Sequence, residues 1–236
     1  RHALHTAIIL AVAPFLASPH IVLAENAPSN PATGDFVYKP PLRGAPSRRI
    51  GGATRGSGDS KFVLNVLAPD QTGYTTQAQP RLYWYSSGPS TTSIEVTVIA
   101  EVAEQPLISK NLATSPGGMQ SIDLAKYGIS LKPDTEYEWF VSAVPDADQR
   151  SKDITSGGTL LRVSPDPAVA AQINAAGERE LPGIYAAAGF WYDAIDTLSR
   201  LIERNPDDAT LRAQRAALLK QIDLPNAAAY DLSPPR

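Results

Sequence analysis

Glu136 and Glu138 are the carboxylates whose spacing first invites a chemical reading. They sit two apart in residues 131–144, LKPDTEYEWFVSAV. On a strand, positions i and i+2 share a face about 7 Å apart. Two carboxylates so placed could act as the pair of a glycosidase. The alternate positions weigh against it. Tyr137, Trp139, Val141 and Ala143 supply an apolar face, which puts both glutamates on the solvent side. Asp146, Asp148 and Asp153 form a second acidic group that could hold a hard cation. Arg150 and Lys152 fall where an EF-hand would need ligands, so an ordinary polar loop is the better reading. Asp207 and Asp208 suit the first turn of a helix. Neither a phosphate loop nor a dinucleotide fingerprint is present. No catalytic residue, cofactor-binding residue or metal ligand is assigned.

What the chain lacks excludes more chemistry than its acids suggest. It has no cysteine, and its three histidines are His2, His5 and His20. A basic entry, an apolar run over residues 7–17 and the small-residue site Val22-Leu23-Ala24 predict a signal peptide over residues 1–24. Cleavage is expected after Ala24, with Ala17 as the second choice. Pro14 and Pro19 interrupt the apolar run, which is shorter than the ~20 residues of a transmembrane helix. The mature chain would then carry neither His nor Cys. That removes a Ser-His-Asp triad, a zinc site of the usual ligands, a His general base and any disulfide. The expected location is periplasmic or secreted. A net charge of -3 gives no electrostatic case for nucleic acid, and no later stretch could span a bilayer.

The residues left for recognition are cationic and aromatic. Residues 25–58 are rich in Pro, Gly, Ala, Ser and Asn without periodicity, which predicts a flexible arm. Arg43, Arg48, Arg49 and Arg55 stand within it. They could meet an anionic surface, or the segment could dock as a strand; a solvated linker is the simpler reading from composition. In residues 81–85, alternation sends Leu82 and Trp84 inward. Tyr83 and Tyr85 are left as surface candidates for stacking on a partner.

The elements that must position these residues are mostly strands. Residues 62–67, 81–85, 93–102, 107–112, 119–124, 131–144 and 158–163 read as short strands. Turn signals separate them, among them residues 72–76. Leu131 and Pro133 ahead of Tyr137 resemble the corner at which a tyrosine hydroxyl ties down an immunoglobulin-like or fibronectin III sandwich. Residues 59–164 are therefore expected to form such a β-sandwich. From Ser164 and Pro165, expected as cap and first helical residue, the pattern turns helical. Residues 190–204 carry Trp191, Ile195, Leu198 and Ile202 at helical spacing, and residues 207–222 form a further helix. Leu181, Tyr185, Gly189, Ala194, Leu198 and Pro206 resemble one tetratricopeptide repeat, with Glu178 and Pro182 departing from it. Residues 165–224 are thus expected to be a partial tetratricopeptide-like helical subdomain. Residues 225–236 are expected to be a tail. The fold class is α+β, mainly β.

Three features in chain order resemble one family. They are the Arg/Gly segment of residues 43–56, the strand of residues 131–144, and Trp191-Tyr192-Asp193-Ala194 followed by Asn205-Pro206. Together they look like the bacterial domain of unknown function 928 family, over roughly residues 40–224. The resemblance implies an exported protein with no established catalytic residues. The expected function is a non-enzymatic interaction, scaffold or accessory protein of the cell envelope with a protein partner. A carboxylate-dependent hydrolase of envelope glycans and a ligand-sensing accessory to a membrane receptor are the alternatives.

Overall fold

In a computed structural model, the structure describes residues 36–41, 49–51, 62–90, 92–112 and 115–233. The expected signal peptide lies outside these residues, as do Arg43, Arg48 and Arg55. The chain is α+β, with eight strands in two sheets followed by five helices among the described residues. The strands are β1 (Leu64–Val66), β2 (Gly73–Thr75), β3 (Arg81–Ser86), β4 (Ser93–Ala100), β5 (Ile108–Leu112), β6 (Gly118–Asp123), β7 (Glu136–Val144) and β8 (Ile154–Arg162). The helices are α1 (Pro167–Ala175), α2 (Leu181–Ala187), α3 (Trp191–Arg204), α4 (Ala209–Gln221) and α5 (Pro225–Leu232).

The smaller sheet has the order β1-β3-β6 and is antiparallel. The larger has the order β2-β8-β7-β4-β5, antiparallel except where β2 runs parallel to β8. The period of two places β7 as expected. Tyr137, Trp139, Val141 and Ala143 are buried while Glu138 is exposed. The Tyr137 hydroxyl accepts the Lys132 N–H at 2.9 Å, which pins the turn leading into β7. The chain just after β1 passes close to β8 because Gly158 has no side chain. A Cβ there would stand 2.4 Å from the Ala68 Cβ. One apolar core runs through both sheets and on into the helices.

Three local expectations change. Residues 72–76 are not merely a turn: Gly73–Thr75 pair with Leu160–Arg162, and a parallel edge strand three residues long leaves no periodic signature. The helical region starts two residues later than expected. Asp166 caps α1 by accepting the Ala168 and Val169 N–H groups, with Pro167 as the first helical residue. Residues 225–232 are helix α5, packed on α4, rather than a tail.

Candidate interaction site

The junction between sheets and helices is built by the first turn of α3. Each residue of Trp191-Tyr192-Asp193-Ala194 is buried. The Trp191 indole N–H donates to the Leu67 carbonyl at 2.8 Å. The Tyr192 hydroxyl accepts the Trp139 indole N–H at 3.0 Å and donates to the Thr159 carbonyl at 2.8 Å. Asp193 accepts the Thr76 N–H at 3.0 Å, the Thr76 hydroxyl, and the Gln77 amide at 3.4 Å. Four consecutive residues can all face protein because the first turn of α3 meets the β1–β2 connection, the residues after β2, and strands β7 and β8 at once. The motif is therefore a plug that fixes the helices on the sheets.

Burial raises the Asp193 carboxyl above the ordinary aspartate range, and the hydrogen bonds from Thr76, Thr75 and Gln77 oppose that rise. An acid whose folded pKa is raised holds its proton more tightly when folded. Its contribution to stability is complete below the unfolded value of about 3.9 and is lost as pH rises through the folded value. Wild type should therefore gain stability relative to Asp193→Asn as pH is lowered from about 7 to about 4. Urea midpoints of the two chains over that range measure it. A constant difference would mean that burial does not perturb Asp193.

Tyr83 and Tyr85 do face away from Trp84, but that face is not solvent. Both are buried, which corrects the surface expectation. The Tyr83 hydroxyl donates to Asp196 of α3 at 2.9 Å, and the Tyr85 ring meets the Tyr230 ring of α5 at 5.6 Å. The helices cover a sheet face that period-two reasoning leaves to water. Burial and the neighbouring Asp196 carboxylate both raise the Tyr83 phenol above its usual value.

Arg49, the one arm arginine among the described residues, is held within the chain. Its guanidinium donates to the carbonyls of Ala68 at 3.0 Å, Ile222 at 2.8 Å and Asp223 at 3.2 Å, and lies 3.5 Å from Asp70. Ile222 and Asp223 end α4, where unpaired carbonyls and the negative end of the helix dipole favour a cation. Next to it, Ile50 exchanges two backbone hydrogen bonds with Gly157, at 2.9 and 3.0 Å. Ile50 thus lines the edge of β8 that β2 covers further along. Among the described residues of the arm, the sheet-edge contact is this single bridge at Ile50, made to the same chain.

The acids considered for chemistry serve local structure. Glu136 accepts the Thr72 hydroxyl at 3.0 Å, and Glu138 is exposed. Asp146 accepts the Asp148 N–H and the Gln149 amide, and Asp153 accepts from Arg150. No group of three or more His, Cys, Asp or Glu among the described residues could hold a metal ion.

The surface with the features of a binding site was missed in the sequence. Residues 36–41 lie extended across α2 and α4. The Gln221 side-chain amide of α4 grips their backbone. Its oxygen accepts the Tyr38 N–H at 2.9 Å and its nitrogen donates to the Phe36 carbonyl at 2.7 Å. On the other side, the Lys39 N–H donates to the Ala186 carbonyl of α2 at 3.1 Å. Phe36 and Tyr38 point inward and are buried, while Val37 is 57% exposed. The Tyr38 ring meets Trp191 edge-on at 4.8 Å. The Phe36 ring occupies the space over Gly183, where a Cβ would come within 2.7 Å of it. The available signal was slight: two aromatics two apart in a stretch otherwise rich in Pro and Gly. An open concavity of about 580 Å³ continues beside the segment, bordered by Val169, Ile184 and Ala187.

A family model described as Domain of Unknown Function (DUF928) matches residues 50–232. No curated protein and no solved structure matches the chain.

Proposed function

This chain belongs to the DUF928 family, and we propose that it is an exported, non-enzymatic interaction protein of the cell envelope. The observation that carries this reading is the grip on residues 36–41. The helices hold an extended segment by its backbone and by alternate side chains, as peptide-recognition surfaces do. Other features support it. The buried ionisable groups Asp193, Arg215 and Asp231 serve to fix helices in place. That suits a rigid frame for presenting surfaces. No helix among the described residues is long and apolar enough to cross a membrane. The signal-like residues 1–24 support export.

Two finer readings of the frame belong to the same proposal. The orders β1-β3-β6 and β5-β4-β7-β8, with β2 parallel at the β8 edge, support an immunoglobulin/fibronectin III-type sandwich. The Tyr137 hydroxyl on the Lys132 N–H adds to that. The packing of α2 on α3 and α3 on α4 supports a tetratricopeptide-like arrangement of those helices.

Site-specific photo-crosslinking in the native host tests the function. A photoreactive residue at exposed Ala187, on the rim of the concavity, should give a discrete crosslinked product in the envelope fraction. One at Val102, which is 90% exposed on the β4–β5 connection, should not. The same products from both positions, or none from Ala187, would sink the proposal.

A further inference from the structure

The segment of residues 36–41 behaves as a ligand that happens to be covalently attached. Its contacts are those by which one chain reads another. One carboxamide, Gln221, takes a carbonyl and an N–H two residues apart, which any extended peptide presents. Two inward side chains, Phe36 and Tyr38, give the sequence preference. The socket for the first exists because residue 183 is glycine: the three atoms nearest a Cβ there all belong to the Phe36 ring. The receptor residues Gly183, Ala186, Trp191 and Gln221 lie inside the family match of residues 50–232, and the occupant lies outside it. The occupant is also imperfect. The Tyr38 hydroxyl is buried with no hydrogen-bond partner among the described residues, a cost that a phenylalanine ring in the same place would not carry.

We propose that the groove between α2 and α4 is a receptor for an extended partner peptide of the pattern aromatic-x-aromatic, closed in the free chain by its own residues 36–41. The proposal rests on the interaction reading above and names the partner's chemistry. A tethered segment competes at a high effective concentration, so the closed chain takes a free peptide weakly. A partner opens the groove by making a better second anchor than Tyr38, or by adding contacts along the neighbouring concavity.

The test uses the full chain carrying Phe36→Ala and Tyr38→Ala, which empties the groove. The probe is a fluorescent synthetic peptide with the sequence of residues 35–41. It should bind the emptied chain about 100-fold or more tighter than wild type, because the tethered competitor is gone. A peptide with phenylalanine at the position of Tyr38 should bind about five-fold tighter still. Adding Gly183→Leu to the emptied chain fills the Phe36 socket and should abolish binding. It should leave the fold intact, since leucine suits a helix better than glycine and the three atoms nearest a Cβ there belong to the Phe36 ring, which the emptied chain lacks.

Failure of the emptied chain to bind either peptide while its near-ultraviolet circular dichroism stays native would overturn the proposal. So would equal binding by wild-type and emptied chains, or binding that survives Gly183→Leu. A wild-type dimer that the Phe36→Ala and Tyr38→Ala changes dissolve would put a second copy's arm in the groove and equally overturn a separate partner. These measurements use purified components. Their failure is therefore distinct from a failure to crosslink a partner at Ala187 in the host.

Discussion

Trp139→Ala should lower stability by about 3–5 kcal/mol, the range for truncating a large core aromatic. Trp139 is fully buried at the centre of β7. Its ring meets Tyr192 edge-on at 6.4 Å, and its indole N–H is the donor for the Tyr192 hydroxyl. The substitution therefore opens a cavity and also removes a hydrogen bond between the sheets and α3. Glu138→Ala, one residue away on the exposed side, should stay within about 0.5 kcal/mol. Guanidinium midpoints followed by far-ultraviolet circular dichroism compare the two. Equal losses would mean that the faces of β7 are wrongly assigned.

Asp231→Ala should cost a similar amount, about 3–5 kcal/mol, through a different mechanism. Arg215 of α4 donates to both Asp231 oxygens, at 2.8 and 2.6 Å, and to the Ser199 hydroxyl at 2.9 Å. The two charged side chains are 6% and 1% exposed. Removing the carboxylate leaves a guanidinium buried without its counter-charge. Replacing both partners, Arg215→Met with Asp231→Leu, removes the buried charge along with the pair and should recover most of the loss. Hydrogen exchange supplies a second readout. Residues 225–232 should exchange faster in Asp231→Ala, because the ion pair is one of the contacts that tie α5 to α4. A double variant no more stable than Asp231→Ala would show that the packing of α5, rather than the charge balance, sets the cost.

The two variants differ in how visible their sites are in the sequence. Trp139 is legible because one buried face of a strand writes a period of two, and Tyr137, Trp139, Val141 and Ala143 follow it, although Ser142 on the other face is buried as well. The helical spacing of α3 is legible for the same local reason. The ion pair is not. Arg215 and Asp231 are 16 residues apart on different helices, and the sequence of α5 reads as polar, alanine-rich tail. Its buried residues Ala227 and Ala228 are small, so they pack closely without a hydrophobic pattern.

By itself, the sequence determined every described strand except β2, the apolar face of β7, the start of the helical region to within two residues, and that cysteine chemistry is excluded. These properties depend on neighbours in the chain. The tertiary structure alone decided which side of each element meets protein a second time. Tyr83 and Tyr85 lie on the outward face of β3 by local rules, and become interior because α3 and α5 lie over them. Arg49 looks like a free cation until the end of α4 is brought beside it. Residues 36–41 read as linker because two aromatics two apart are too short a pattern to mark an element, and the groove that holds them is contributed by helices more than 140 residues further along. Local periodicity is set by one element's own geometry. A second contact surface requires two elements to meet, and a single sequence carries no record of that meeting.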